Sequence, residues 1–287
     1  MEVAQPRQLL GIELRRCRRL AGLNGRDLAS QLGITQAKVS RIETARFRPE
    51  IAIVRAWLKA TNADEATTTR LLELGRKAQT DVSGWRASFR GSMAGRIREL
   101  GKQDAVASRV RHFQPFMIPG IFHTADYARA ALKAVRPAPE AEVEAAVLAR
   151  LERGDRILTS GLPAYEIILT ELALRWTPLD APPSARAGTL ARLRSGVHRQ
   201  HVTVRVVPAD APTRQAPMCA FVMYEYSSGE QPTVDVELPA VEMRFADPED
   251  VAAFDVAWQR MADAALPPQE SLQFIAELER SLSHPEE

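Results

Sequence analysis

The chain has 287 residues, 45% of them hydrophobic, enough for two domains of about 150 residues with sizeable cores. Its net charge of +2 conceals a split: Met1–His112 carries 22 basic against 11 acidic residues, net +11, and Phe113–Glu287 carries 16 against 25, net −9. The split fits a polyanion partner at one end, halves that neutralise each other in one fold, or an ordinary solvated basic surface; the sequence shows no apolar run near the roughly 18–20 residues of a membrane span, no signal-peptide core and no metal-spaced cysteines.

In chain order, the first segment reads as consecutive short helices. Leu10, Leu14, Cys17 and Ala21 repeat at spacings of four, three and four, one face of a helix that Gly22 stops. Asn24 caps a second helix running to Leu32, with Leu28, Ala29 and Leu32 inward. Gly33 supplies a turn that needs positive φ. Thr35 caps a third helix through about Thr44, with Val39 and Ile42 on its buried side. Pro49 suits the first turn of a fourth helix, Glu50 to Thr61, and a fifth is expected over Asp64 to Ala78. From Thr80 to Gly101 the pattern weakens, because Gly84, Gly91, Gly95 and Gly101 interrupt it while Arg86, Arg90, Arg96 and Arg98 keep it basic. This stretch reads as an irregular connector with a short helix.

Beyond it, helices are expected at Thr124–Val135, Pro139–Leu158, Ser184–Gln200, Pro248–Ala265 and Pro267–Leu282. Strands are expected at Tyr165–Leu169, Val202–Val207, Ala220–Tyr226, Thr233–Leu238 and Val241–Phe245; Val202, Val204 and Val206 alternate with Thr203 and Arg205 as in a half-buried strand. The fold class is therefore α+β: an all-α helix-turn-helix domain over 1–79, a basic connector over 80–112, and a mixed α/β domain over 113–287 that regulates or binds a partner.

The segment Asp27–Glu43 carries the function. Two short helices joined by a glycine turn pack through Leu28, Ala29, Leu32, Ile34, Val39 and Ile42, and the small Ala29 permits close approach. This leaves the outer face of the third helix free for the major groove of B-DNA, which is about as wide as an α-helix. Gln36, Ala37, Ser40 and Arg41 lie on or beside that face. Glutamine bonds adenine and arginine bonds guanine in bidentate fashion, each good pair contributing roughly 1–3 kcal/mol of discrimination. Lys38, Arg46 and Arg48 are placed for phosphates, which position the protein without reading sequence.

The stretch Leu10–Pro49, including Ser40-Arg41-Ile42-Glu43 and Arg48-Pro49, resembles the Xre/phage-repressor (Cro-type) helix-turn-helix domain. The resemblance implies that Gln36, Ala37, Ser40 and Arg41 occupy base-contact positions. Many relatives open the second helix with Thr-Gln, the glutamine holding a phosphate; here Asn24-Gly25 stands instead. Asn24 still caps, the clamp is missing at Gly25, and Arg26 either replaces it or leaves affinity lower. The segment Phe113–Arg129, with Pro119-Gly120, Thr124 and Asp126-Tyr127-Ala128, resembles the opening of the large C-terminal domain of actinobacterial WhiJ-like regulators, and Leu169–Leu174 and Pro267–Leu272 are similar to later parts of it. That resemblance implies a regulator often encoded beside a small BldB-like partner protein, sometimes as an antitoxin-like pair.

Other candidates in the second domain have plainer readings. His198 and His201, three apart, read as solvated histidines at a helix end in preference to metal ligands. Glu166 and Glu171 form a salt-bridged strand edge as readily as a carboxylate pair. No phosphate-cradling glycine loop, Gly-x-Ser-x-Gly elbow or dinucleotide fingerprint occurs, so catalysis is not expected. The corner Pro119–Tyr127 with Phe116 and Phe122 reads as helix initiation and core packing ahead of a pocket or partner surface, and Trp85, Trp176 and Trp258 as packing. The acidic domain's open alternatives are small-molecule sensing, protein binding and dimerisation.

The expectation is a cytoplasmic, sequence-specific transcriptional regulator that is not an enzyme and needs no metal or cofactor. Its partners are a double-stranded DNA operator, a second copy of itself, since one recognition helix covers only a half-site, and a possible small partner protein that would make DNA binding autoregulatory; no membrane is involved.

Overall fold

The computed structural model describes residues 6–78, 80–84, 92–135, 137–216, 218–238 and 241–283. The chain divides into two units, Met1–Asp81 with Arg244–Asp247, and Val82–Met243 with Pro248–Glu287. The first is built from helices and the second from a mixed sheet with helices, the α+β class expected from the hydrophobic periods.

The helical unit comprises α1 (Pro6–Leu20), α2 (Gly25–Leu32), α3 (Gln36–Glu43), α4 (Ile51–Ala60) and α5 (Glu65–Lys77). Each boundary has a local cause. Asn24 Oδ1 accepts from the backbone N–H of Arg26 and Asp27, Thr35 Oγ1 from Lys38, and Asp64 Oδ1 from Thr67, so three of the five starts are side-chain capped. Gly33 (φ 64°, ψ 30°) closes α2 in the left-handed region, its N–H and that of Ile34 returning to Ser30 and Ala29. Leu10, Leu14, Leu28, Ala29, Val39, Ile42, Val54, Trp57, Leu58 and Leu71 form one core, drawing on all five helices. Each large member contributes roughly 1.5–3 kcal/mol by leaving water. Trp57 is sealed within it, and its indole N–H donates to Leu14 O at 3.1 Å, so the core's largest side chain buries no unsatisfied donor. Two expectations are corrected. Ala21 lies past the end of α1 and is exposed, because Gly22 at φ 70° has already turned the chain. Pro49 precedes the N-cap Glu50 instead of occupying the first turn of α4.

After α5 the chain continues through β1 (Thr80–Gly84), α6 (Met93–Val106), β2 (Arg109–Gln114), a 3-10 turn (Gly120–Phe122), α7 (Ala125–Val135), α8 (Glu140–Ser160), β3 (Ala164–Thr170), α9 (Glu171–Arg175), α10 (Pro183–Val197), β4 (Val202–Val207), β5 (Phe221–Glu225), β6 (Thr233–Glu237), β7 (Val241–Phe245), α11 (Pro248–Ala264) and α12 (Pro268–Ser283). The strands run in the order β1-β7-β6-β5-β2-β3-β4. β2, β3 and β4 are parallel neighbours, which requires the long helical crossovers that separate them. β5 pairs antiparallel with β2 and with β6.

Residues 92–112, expected within the connector, instead belong to the folded second unit. α6 and β2 belong to the second unit: Met93, Ala94 and Ile97 pack with Val143, Ala146 and Val147 of α8, and β2 is an interior strand. Gly101, read as an interruption, marks a helix crossing; a Cβ there would stand 3.3 Å from Arg156 Nη1 and 3.9 Å from Arg153 Cγ of α8. Trp85, Arg86, Arg90 and Gly91 lie outside the described residues. One sheet face, with Val110, Tyr165, Ile167, Leu169, Val204, Val206 and Tyr224, packs on Ile157 of α8, Leu190 and Leu193 of α10, and Ile275 and Leu278 of α12. The other carries charges in register: Arg109 binds Glu166 at 2.6 Å, and Arg111 pairs with Glu225 and with Asp255 of α11.

Candidate nucleic-acid interface

α3 is only eight residues long, yet its two sides differ sharply. Val39 and Ile42 are 2% and 1% exposed, locked in the core. Gln36, Ala37, Ser40 and Arg41 are all exposed. At 100° per residue these four span one arc centred opposite the buried pair, so burying Val39 and Ile42 obliges the others to face outward. The four predicted base-reading positions therefore share one solvent-facing surface.

The cations around this surface are organised by an aromatic ring. Phe47, in the turn after α3, has Lys38 Nζ 4.8 Å and Arg41 Cζ 5.7 Å from its ring centroid. Such contacts contribute about 0.5–1 kcal/mol at exposed sites and narrow the rotamers of both cations. The turn holding Phe47 is itself fixed: the N–H groups of Arg46 and Phe47 both donate to Arg41 O, at 2.7 and 3.0 Å, and Ala45 adopts φ 56°. Arg46 is exposed beside it and Arg48 is half-buried. Phe47 was not singled out from the sequence; an aromatic between two arginines, Arg46-Phe47-Arg48, was the available signal.

Glu43 ends α3 and anchors it. Arg18 of α1 donates to its two carboxylate oxygens at 2.5 and 3.0 Å and sends a third hydrogen bond to Leu23 O at 2.8 Å. Arg18 and Glu43 keep only 13% and 8% of their side-chain surface exposed, so the pair works in a partly desolvated setting where bidentate geometry counts. The hydrogen bonds that Arg18 donates to Glu43 push the Arg18 pKa further up against the opposing effect of burial. α1 approaches the same point closely: a Cβ on Gly11 would stand 2.8 Å from Ile42 O and 2.9 Å from Glu43 O. α3 is thus clamped at its C-terminal end by side chain and backbone together.

At the other end, Asn24 is committed to capping α2, and Arg26 is exposed at the start of that helix. Gly25 opens α2 beside Gln36: a Cβ there would lie 3.6 Å from Gln36 Cγ and 4.0 Å from its Nε2. The glycine that removes a side-chain clamp thereby leaves space along Gln36. The first-turn amides of α2 at Arg26 and Asp27 are taken by Asn24 Oδ1, so what this helix end offers a phosphate is the positive end of its dipole and the exposed Arg26.

The candidates in the second unit resolve into structural roles. His201 Nε2 lies 2.8 Å from Ile157 O, and His198 caps the end of α10. Glu166 is bound by Arg109 on the neighbouring strand, whereas Glu171 accepts from Ala209 N–H and Arg175, which together hold its pKa below the usual carboxylate range. Tyr127 is fully buried with its hydroxyl on Trp176 O, Phe122 is fully buried and Trp258 nearly so, while Phe116 is exposed. The Thr124 hydroxyl meets that of Thr189 at 3.1 Å. Among the described residues, no helix is long and apolar enough to cross a membrane.

Comparison with known proteins agrees with the two units. Residues 9–71 match a helix-turn-helix domain family. Residues 97–277 match a family described as a domain of unknown function (DUF5753). Among solved structures, the chain is similar to TrmBL2, an archaeal chromatin protein described as showing a novel mode of DNA binding, at 10% identity over 88% of this chain and 91% of that one; its TM-score of 0.29 carries no argument. No curated protein matches the chain.

Proposed function

The chain belongs to the DUF5753 family, and from its helix-turn-helix domain we propose that it is a sequence-specific DNA-binding regulator of transcription whose second domain senses a ligand or partner. We further propose, from the resemblance of its Ser40–Glu43 and Pro119–Ala128 segments, that it is an Xre-type regulator of WhiJ-like kind.

A single observation carries the reading: Gln36, Ala37, Ser40 and Arg41 stand exposed on the side of α3 opposite Val39 and Ile42. In the proposed complex α3 enters the major groove, Arg41 donates to guanine O6 and N7, and Gln36 exchanges hydrogen bonds with adenine N6 and N7. Lys38, Arg46 and Arg48 contact phosphates and release counterions, so affinity falls steeply with salt. An eight-residue recognition helix reads only a few base pairs, and useful specificity needs two of them. The active species is therefore a homodimer on a pseudo-palindrome with half-sites about one helical turn apart.

Selection of bound duplexes from a randomised pool tests this. The wild-type chain should yield a two-fold symmetric site, and Arg41→Ala should lose its preference for guanine at one position per half-site while keeping the others. Recovery of no common sequence, or an identical profile from Arg41→Ala, would refute the assignment.

A further inference from the structure

The face of the second domain's sheet that packs on α8 has a polar centre. In register, Val110 of β2 lies between Tyr165 of β3 and Tyr224 of β5, and His112, two residues on, lies between Ile167 and Val222. Side chains alternate along a strand, so Tyr165, His112 and Tyr224 share one face. Arg150 and Arg153 of α8, three residues apart, project toward it, and Asp104 of α6 completes the group.

Two polar atoms here have no hydrogen-bond partner among the described residues, the Tyr224 hydroxyl and His112 Nδ1, and the Tyr165 hydroxyl has only the Arg153 guanidinium beside it. The two tyrosines are 1% and 0% exposed. Arg153 is paired with Asp104 at 2.6 and 3.2 Å and lies beside Tyr165, Tyr224 and His112. Arg150 differs. Its Nη1 donates to His123 Nδ1 at 3.3 Å, the tautomer fixed because His123 Nε2–H donates to Ile118 O at 2.7 Å. His123 and His112 are both pulled down to about 3 by burial, so both are neutral near pH 7. No carboxylate among the described residues comes within ion-pair distance of Arg150; Glu237 acts on it only from farther away. Burial, with the like charge of Arg153, pulls its pKa down to about 10, more than the Glu237 charge offsets. Gly120 leaves it room, since a Cβ there would stand 3.2 Å from Arg150 Nε.

The surroundings are not solid core. His112, Gln114 and Val222 lie on the interior strands β2 and β5, yet each keeps partial solvent access, as do the enclosed Arg150 and Arg153. Interior-strand residues that are enclosed and still reached by solvent line a space. Protein interiors satisfy nearly all their polar groups and almost never leave a charge unpaired, so a guanidinium with no ion pair, beside an unpartnered phenol at Tyr224 and an unpartnered ring nitrogen at His112, calls for an occupant.

We propose that the space between α8 and strands β2, β3 and β5 is the binding site of a small polar carboxylic acid. Arg150 supplies the charge for its single carboxylate, and Tyr165, Tyr224 and His112 supply hydrogen bonds to the rest of the molecule. One uncompensated cation suits a monoanion, and the planar guanidinium fork suits a carboxylate. The inference deepens the reading of this domain as a sensor and rests on it.

Calorimetric titration of the full chain in chloride buffer tests it, with acetate, 3-hydroxybutyrate and 4-hydroxybenzoate as probes and inorganic phosphate as the competing oxyanion. At least one hydroxy acid should bind saturably at one site per chain and more tightly than acetate. Arg150→Gln should weaken it tenfold or more. Tyr224→Phe removes only an unpartnered hydroxyl, so it should keep its thermal midpoint while weakening the acid at least threefold. Duplex binding of each variant without ligand is measured in parallel. Failure of all three acids, equal binding of phosphate, or affinity indifferent to Tyr224→Phe overturns the site in favour of a water-filled polar core. Unchanged duplex binding in the same samples shows that the DNA-binding reading survives such a failure.

Discussion

Gly11→Ala puts the clamp on α3 to a quantitative test. Gly11 lies mid-helix in α1, where alanine ordinarily adds about 1 kcal/mol of helix stability. Here the new methyl would stand 2.8 Å from Ile42 O and 2.9 Å from Glu43 O. Both atoms are backbone at the end of α3, so no rotamer change removes the contact, and α1 and α3 must separate by several tenths of an ångström. Overpacking of this kind costs about 1–3 kcal/mol, and contact with two backbone atoms puts it at the upper end. The net is about 2 kcal/mol of destabilisation, roughly a 30-fold rise in the opening equilibrium of the helical unit. Hydrogen–deuterium exchange read by mass spectrometry on the full chain resolves this locally. Peptides from α2, α3 and α4 should exchange about 30-fold faster, and peptides from β3 and β4 should not change. Exchange in α3 that is unaltered or slower would mean helix propensity wins and the close approach is not a constraint.

Other consequences can be measured independently. Arg46→Ala should weaken binding to every duplex alike and reduce the salt slope by about one, whereas Arg41→Ala should cost about 1–3 kcal/mol on the selected site only; fluorescence anisotropy across salt concentrations separates them. Gly154→Ala should destabilise the second domain by about 3 kcal/mol, since its Cβ would collide with the backbone oxygen of Ile121; a thermal melt equal to wild type would contradict that packing. His112 and His123 have folded-state pKa values near 3, well below the 6.5 of an unfolded histidine. The unfolded chain therefore binds protons that the folded one does not, and the stabilisation present above about pH 6.5 is lost as pH falls toward 3. Each histidine contributes a slope of about 1.4 kcal/mol per pH unit within that window. Urea midpoints of the second domain should fall between pH 7 and pH 5, and a flat profile would contradict burial of the two rings.

The helical unit was legible because its signals are local. Asn24, Gly33, Thr35 and Asp64 cap or turn the chain within a few residues of themselves, and the apolar period picks out Leu28, Val39 and Ile42 without knowledge of anything distant. The sheet was legible where strands alternate, as at Val202–Val207, and hidden where partners are remote. β2 reads as a basic run because Arg109 and Arg111 are neutralised by Glu166, Glu225 and Asp255, from 57 to 144 residues away. Gly101 interrupts the helical pattern of α6 because it serves the crossing with α8. Arg150 and Arg153 look like an ordinary solvated helix face until the sheet is laid against them. Phe47 escaped notice because its role depends on where Lys38 and Arg41 fold back.

Guanine-N7 methylation interference on a selected duplex tests the groove contact most directly, since N7 lies in the major groove and Arg41 is the side chain assigned to it. The account predicts interference at one or more guanines in each of two half-sites about 10 base pairs apart, lost at those guanines with Arg41→Ala. Interference at none, or the same pattern with Arg41→Ala, would show that α3 does not read bases through the face that Val39 and Ile42 turn outward.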